Sequence, residues 1–295
     1  MEPNKLDSLP VAPSLPPERI KFPSFFGLLG EAIEVWKNLF WKIVALYAIF
    51  LGIVCGLVIL LITAFAVISS DMALIGIIIS ILLFAAAIAS GIVAAIGVIY
   101  LIKNRQSDVG IKDALDYGWT RAFGYFGTNF LARIISFIGY IFFIVPGILF
   151  SIWFSLAAMV AADQGIYGLE ALKTSKRYMK NNIGGVLLWT FLFGILVSLV
   201  GFILSAIGII PFFGTLFGTL VQFFVIMPIS LCFSYLLYER IRDIKESGKE
   251  FDKNNYWIWA IISFVLLALF IIFIFAFIVA IGIAAQKMNS PAFLP

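Results

Sequence analysis

The sequence predicts an all-α fold: a polytopic integral membrane protein of about seven transmembrane helices with three short amphipathic interfacial helices. Three observations carry that expectation. Hydrophobic residues make up 63% of the chain and charged residues 12%, with a mean hydropathy of +1.10, far outside the range of soluble domains. Charge-free runs at 43–70, 72–102, 134–162, 181–238 and 254–286 all exceed the roughly 18 residues that mark a spanning helix. The strand-like alternation of a membrane barrel is absent, and irregular backbone cannot face lipid, so the spans are expected to be helices.

Met1 to Pro23 holds six prolines and no apolar run, which predicts a disordered cytoplasmic tail over 1–23 rather than a cleaved signal. A six-span domain is expected over 24–240, a basic cytoplasmic loop over 241–256, and a further span with a short outer tail over 257–295. The expected spans are 43–68, 73–101, 125–145, 147–163, 183–208, 214–238 and 257–284.

The long run around FFIVPGILFSIWF (142–154) needs dividing, because one helix over 126–162 would measure about 55 Å against a hydrocarbon core of about 30 Å. A hairpin turn at Pro146 and Gly147 resolves this: proline has no amide hydrogen to leave unpaired, and glycine tolerates a reversal. Reversals are likewise expected at 69–71 and 209–214. With the N-terminus inside, eighteen of the 20 Lys and Arg fall on the cytoplasmic side, Lys287 and Arg133 being the exceptions. That asymmetry orients the chain and places the C-terminus outside.

Three segments precede spans one, three and five with a shared pattern: GEAIEVWKNLF (30–40), KDALDYGWTRAF (112–123) and LEALKTSKRYM (169–179). In each, an acidic residue followed by alanine opens an amphipathic stretch suited to the interface. They are expected either to anchor the next span or to mark a threefold repeat of interfacial helix plus hairpin. Lys112 and Asp116 have the i,i+4 spacing of an ion pair.

Other motifs suit packing better than chemistry. Gly52/Gly56 and Gly214/Gly218 are GxxxG matches, and Pro228 is expected to kink span six near Gln222. Cys55 and Cys232 lie in separate apolar runs at different expected depths, which predicts no disulfide. Trp36, Lys37, Trp41 and Lys42 have the composition of an interfacial belt on an anionic leaflet. The expected partners are therefore membrane lipids, with anionic headgroups on the cytoplasmic face, and a membrane protein; nucleic acid is not needed to explain the basic residues. There is no His, no carboxylate pair placed for acid–base work, no metal-ligand set and no phosphate loop, so neither catalysis nor a cofactor is expected.

Arg133 is the only charge well inside an expected span, where a lone cation costs about 2.5–3.5 kcal/mol. With the reversal at Pro146, Arg133 lies thirteen residues before the turn and Asp163 seventeen after it, a depth difference of about 6 Å. Arg133 is expected to pair with Asp163, to snorkel to a lipid phosphate beside it, or simply to snorkel.

The stretch IVPGILFSIWFSLAAMVAADQGIYGLEALKTSKRYMKNN (144–182) resembles the signature region of the membrane domain associated with glycerophosphoryl diester phosphodiesterases, and of related multi-span bacterial and archaeal families. The matching elements are Val145-Pro146-Gly147, Asp163 and Ala171-Leu172 with Ser175, and Ser24 to Leu46 is similar to the family's opening helix. The likeness covers roughly 24–240 and implies a prokaryotic cytoplasmic membrane. It does not imply an enzyme, since the family's catalytic domain uses histidines that are absent here. Three functions follow in order: a non-enzymatic membrane module acting through lipid or a partner protein, a transporter or permease for a small or lipid-like substrate, and a membrane-embedded enzyme.

Overall fold

The computed structural model describes residues 19–20, 22–67, 73–207, 213–248 and 250–251, and isolated helical positions between 258 and 279. The elements run β1 (Arg19–Ile20), α1 (Phe25–Val67), α2 (Ala73–Lys103), α3 (Ile111–Phe142), α4 (Ile144–Trp153), α5 (Ala157–Gln164), α6 (Gly168–Met179), α7 (Ile183–Ile207), α8 (Phe213–Val221), a π-helical turn (Gln222–Ile226), α9 (Met227–Glu246) and β2 (Glu250–Phe251). Six helical segments are long and apolar enough to cross a membrane: Phe25–Thr63, Ile75–Lys103, Ile111–Phe142, Ile144–Gln164, Ile183–Ser205 and Leu216–Glu246. Most of the expected seventh span, and the turns expected at 69–71 and over most of 209–214, lie outside the described residues.

Two of the three expected interfacial helices are not separate. Residues 30–40 belong to α1 and residues 112–123 to α3. α1 has 43 residues, about 65 Å at 1.5 Å per residue and roughly twice a hydrocarbon core. Nothing between Phe40 and Ile43 breaks a helix, and α3 keeps its course through Gly118 because that glycine packs against the backbone of Val93. Only α6 stands alone. It ends in a turn in which Lys180 leaves helical geometry (ψ 125°) and Asn181 takes a left-handed conformation, φ 72°, which asparagine tolerates better than most residues.

The reversal between the third and fourth spans also differs from expectation. α3 stops at Phe142 and the single extended residue Phe143 (φ −158°, ψ 145°) turns the chain. Pro146 sits in the first turn of α4, where its missing N–H would be unpaired in any case. Gly147 is not the turn but the point of closest approach: a Cβ on Gly139 would lie 2.9 Å from the Gly147 Cα, and one on Gly147 would enter the Tyr140 ring. Tyr140 and Ser151 hydroxyls, 3.2 Å apart, join the two arms.

α4 and α5 form one broken span, interrupted at 154–156, where the Ser155 hydroxyl donates to the Ile152 carbonyl at 2.8 Å. In the last span the chain widens to the π turn just before Pro228, which accommodates a residue with no amide hydrogen. α9 then continues to Glu246, so the first part of the expected loop over 241–256 is helix.

The core is concentrated at the charged end of the bundle. α1 contributes Leu28, Ala32, Val35, Leu39, Ile43 and Leu46 at helical spacing; α2 contributes residues between Val93 and Ile102; α9 contributes Cys232 to Tyr238. Farther along, α1 between Ile49 and Ile62, α2 between Ile75 and Ile88, and the α3–α4 turn expose their large apolar side chains, as lipid-facing helices do. Gly52 and Gly56 face open space, whereas between α2 and α3 glycine closes the contacts of Gly97 with Ala114 and of Gly118 with Val93. Cys55 is exposed and Cys232 buried, both as free thiols.

The chain on either side of the six spans is tied together. β1 and β2 pair in parallel, Arg19 with Glu250 and Ile20 with Phe251. Phe22 packs edge-on against Trp189 with ring centroids 5.9 Å apart, and the Trp189 indole N–H donates to the Pro23 carbonyl at 2.9 Å. The last residues of the Pro-rich segment are therefore held in place, where the sequence suggests a wholly disordered tail.

Candidate functional site: a buried carboxylate lock and a basic helix

The most buried carboxylate among the described residues is Asp163, 2% exposed, in the last turn of α5. Helix α5 ends there because Gly165 adopts φ 69°, a conformation that glycine accepts without strain. Its last carbonyls, with no partners inside the helix, are satisfied from outside. Tyr117 donates to the Ala162 carbonyl at 2.8 Å, Arg121 to the Ala162 and Asp163 carbonyls at 3.0 and 3.1 Å, and Lys103 to the Asp163 carbonyl at 3.0 Å. Two cations at a helix C-terminus also complement the helix dipole.

The Asp163 side chain is saturated. Oδ1 pairs with the Lys103 ammonium at 2.8 Å and accepts from Tyr235 at 3.2 Å; Oδ2 pairs with the Arg242 guanidinium and accepts from Tyr238 at 3.0 Å. One carboxylate thus links α2, α5 and α9, while Arg121 brings α3 to the same helix end. Removing a charge from water is costly, and here two cations and two hydroxyls offset that cost. Gln164 continues the network to the hydroxyls of Tyr178 and Tyr238 at 2.8 and 3.1 Å, and Tyr178 donates to Glu246 at 2.8 Å. Burial raises the Tyr178 pKa above its ordinary value.

A second set of ion pairs lies on the outer rim. Arg105 grips Glu239 with two nitrogens, at 3.0 and 3.2 Å, and Arg240 reaches Glu31 at 3.0 Å. Arg105 loses solvation, which lowers its pKa, but the hydrogen bond and charge of Glu239 outweigh that loss and hold it above the ordinary arginine value. Lys42 spans from α1 to the α2–α3 loop, pairing with Asp108 at 2.7 Å and donating to the Val109 carbonyl at 2.9 Å. The hydrogen bond from Lys42 keeps the Asp108 carboxyl below the usual carboxylate range.

Arg133 does not join Asp163. It is exposed, and its Nε contacts the Asn129 carbonyl oxygen one turn earlier at 3.3 Å. The reason is the position of the reversal. With the turn at Phe143, Arg133 is ten residues before it and Asp163 twenty after it, so their depths differ by about 15 Å rather than about 6 Å. Exposed Phe130, Ile134 and Phe137 surround Arg133 on α3, which leaves it the geometry of a snorkelling side chain. The residues that hold Asp163 come from the expected ends of spans two and six (Lys103, Tyr235 and Tyr238) and from the expected basic loop over 241–256 (Arg242).

α6 is the other chemically distinctive element. It buries Ala171, Leu172, Ser175, Tyr178 and Met179 against the bundle, and the Ser175 hydroxyl donates to the Trp153 carbonyl at 2.7 Å. Its opposite side, with the turn that follows, exposes Lys173, Lys176, Arg177 and Lys180. The Lys176 ammonium lies 4.1 Å from the Trp153 ring centroid, a cation–π distance. Among the described residues no three acidic or cysteine side chains are grouped to hold a metal ion. No family model, curated protein or solved structure matches the chain.

Proposed function

We propose that this protein is a non-enzymatic, multi-pass membrane protein whose charged end faces the cytoplasm and engages anionic lipid headgroups or the cytoplasmic face of a membrane-protein partner. The observation that carries this reading is α6: a helix docked by its apolar side, with four cations turned outward. Each basic residue near an anionic surface contributes about 1 kcal/mol. The saturation of Asp163 supports the non-enzymatic part, because both its oxygens are engaged by cations and tyrosine hydroxyls that tie helices together. Kinship with the membrane domain associated with glycerophosphoryl diester phosphodiesterases, suggested by Val145-Pro146-Gly147 and Ala171-Leu172, belongs to the same proposal, as does a prokaryotic cytoplasmic membrane.

One observation favours the alternative of a transporter for a small or lipid-like substrate. A groove of about 400 Å³ is lined by Gly201, Ser205, Gly218 and Gln222, beside the π turn, and such turns recur at functional positions. The deciding experiment is a titration of delipidated protein in detergent with phosphatidylglycerol, followed by native mass spectrometry. A variant carrying Lys173→Gln, Lys176→Gln, Arg177→Gln and Lys180→Gln is expected to bind it about tenfold or more weakly than the parent. Equal binding by the two proteins would remove α6 as the lipid-reading element.

A further inference from the structure

A groove of about 290 Å³ opens between α1, α2 and α3, with no lining residue from α6. Ile49, Phe50 and Ile53 form its α1 wall, Ser90 stands on α2, and Asp116 and Trp119 stand on α3. Ile49 and Ile53 belong to the exposed apolar length of α1, so one part of the groove faces hydrocarbon. Trp119 is 72% exposed, the habit of an indole at headgroup level. The Asp116 carboxylate is exposed and makes no hydrogen bond or ion pair among the described residues, the i,i+4 pair with Lys112 being unformed.

On a chain of net charge +4, with four outward cations on α6, this groove presents the opposite sign. An unpaired carboxylate beside an indole face, above an apolar channel, complements an ammonium group joined to an acyl chain. We propose that the groove binds a phospholipid with a primary-amine headgroup, one acyl chain lying along Ile49, Phe50 and Ile53 and the ammonium on Asp116 and Trp119. A primary ammonium donates charge-assisted hydrogen bonds to the carboxylate, which a quaternary ammonium cannot do. The site therefore separates ethanolamine from choline headgroups as well as from anionic ones.

This inference rests on the reading that the chain acts through lipid, but it concerns a different surface and the opposite charge. The test uses delipidated full-length protein titrated separately with phosphatidylethanolamine, phosphatidylcholine and phosphatidylglycerol, read by native mass spectrometry. The parent is expected to bind the ethanolamine lipid about fivefold or more tightly than the choline lipid. Asp116→Asn is expected to erase that preference while leaving phosphatidylglycerol binding unchanged, and Ser90→Phe, which fills the channel, to weaken both zwitterionic lipids. Because Asp116 is exposed, its asparagine variant decides the matter even if Ser90→Phe fails to fold. Equal ethanolamine and choline binding by the parent, or a preference that survives Asp116→Asn, overturns the proposal. Loss of phosphatidylglycerol binding confined to the α6 variant leaves the groove's result intact, so the two readings fail separately.

Discussion

Asp163 and Arg133 show how little a residue's type says about its role until the neighbours are known. Both stood out in the sequence, one as the acid closing a span and the other as the charge inside one, yet only Asp163 became a hub. Its partners were not legible, because Lys103 and Arg242 lie 60 and 79 residues away and no local pattern links them. Asp163→Asn leaves Lys103 without its counter-charge and Arg242 with Asp243 as its remaining carboxylate, and breaking a buried pair in this way costs about 3–5 kcal/mol. The lower end applies here because the Lys103 side chain is 38% exposed. In unfolding by sodium dodecyl sulfate, Asp163→Asn is expected to lose about 3 kcal/mol, whereas Arg133→Ala should stay within about 0.5 kcal/mol of the parent. The reverse order would restore Arg133 as the central charge and displace Asp163.

At the level of elements, the hairpin of α3 and α4 separates a turn from a contact. Val145-Pro146-Gly147 has the composition of a reversal, and length alone required one nearby; the shift to Phe143 follows from Pro146 being as acceptable in a first helical turn as in a loop. Gly147→Leu should cost about 1–3 kcal/mol, since its side chain would be driven into Tyr140 and the α3 backbone. Pro146→Ala should change stability by no more than about 0.5 kcal/mol. Thermal unfolding of the two variants in detergent checks both; a costly Pro146→Ala with a neutral Gly147→Leu would return the turn to Pro146. The spanning helices were legible because hydropathy and length report them directly. Whether an amphipathic stretch stands alone was not, because residues 30–40 and 112–123 open on the same acidic-residue–alanine pattern as α6, and only a breaker such as Asn181 decides where a helix stops.

Seen whole, the molecule gathers its buried core and its ion pairs at one end and leaves apolar side chains exposed at the other. The pairing of Arg19–Ile20 with Glu250–Phe251 holds the chain before α1 and the chain after α9 together, as an even number of crossings requires. We propose that this charged end, with α6 on it, occupies the cytoplasmic side, in keeping with the distribution of Lys and Arg. Single cysteines at Thr174 on α6 and at Phe143 in the α3–α4 turn, in a chain with Cys55→Ala and Cys232→Ala, test that claim most directly. In intact cells an impermeant thiol reagent is expected to label the cysteine at 143 and to reach the one at 174 only after permeabilisation. Labelling at 174 in intact cells, with 143 protected, would contradict the account.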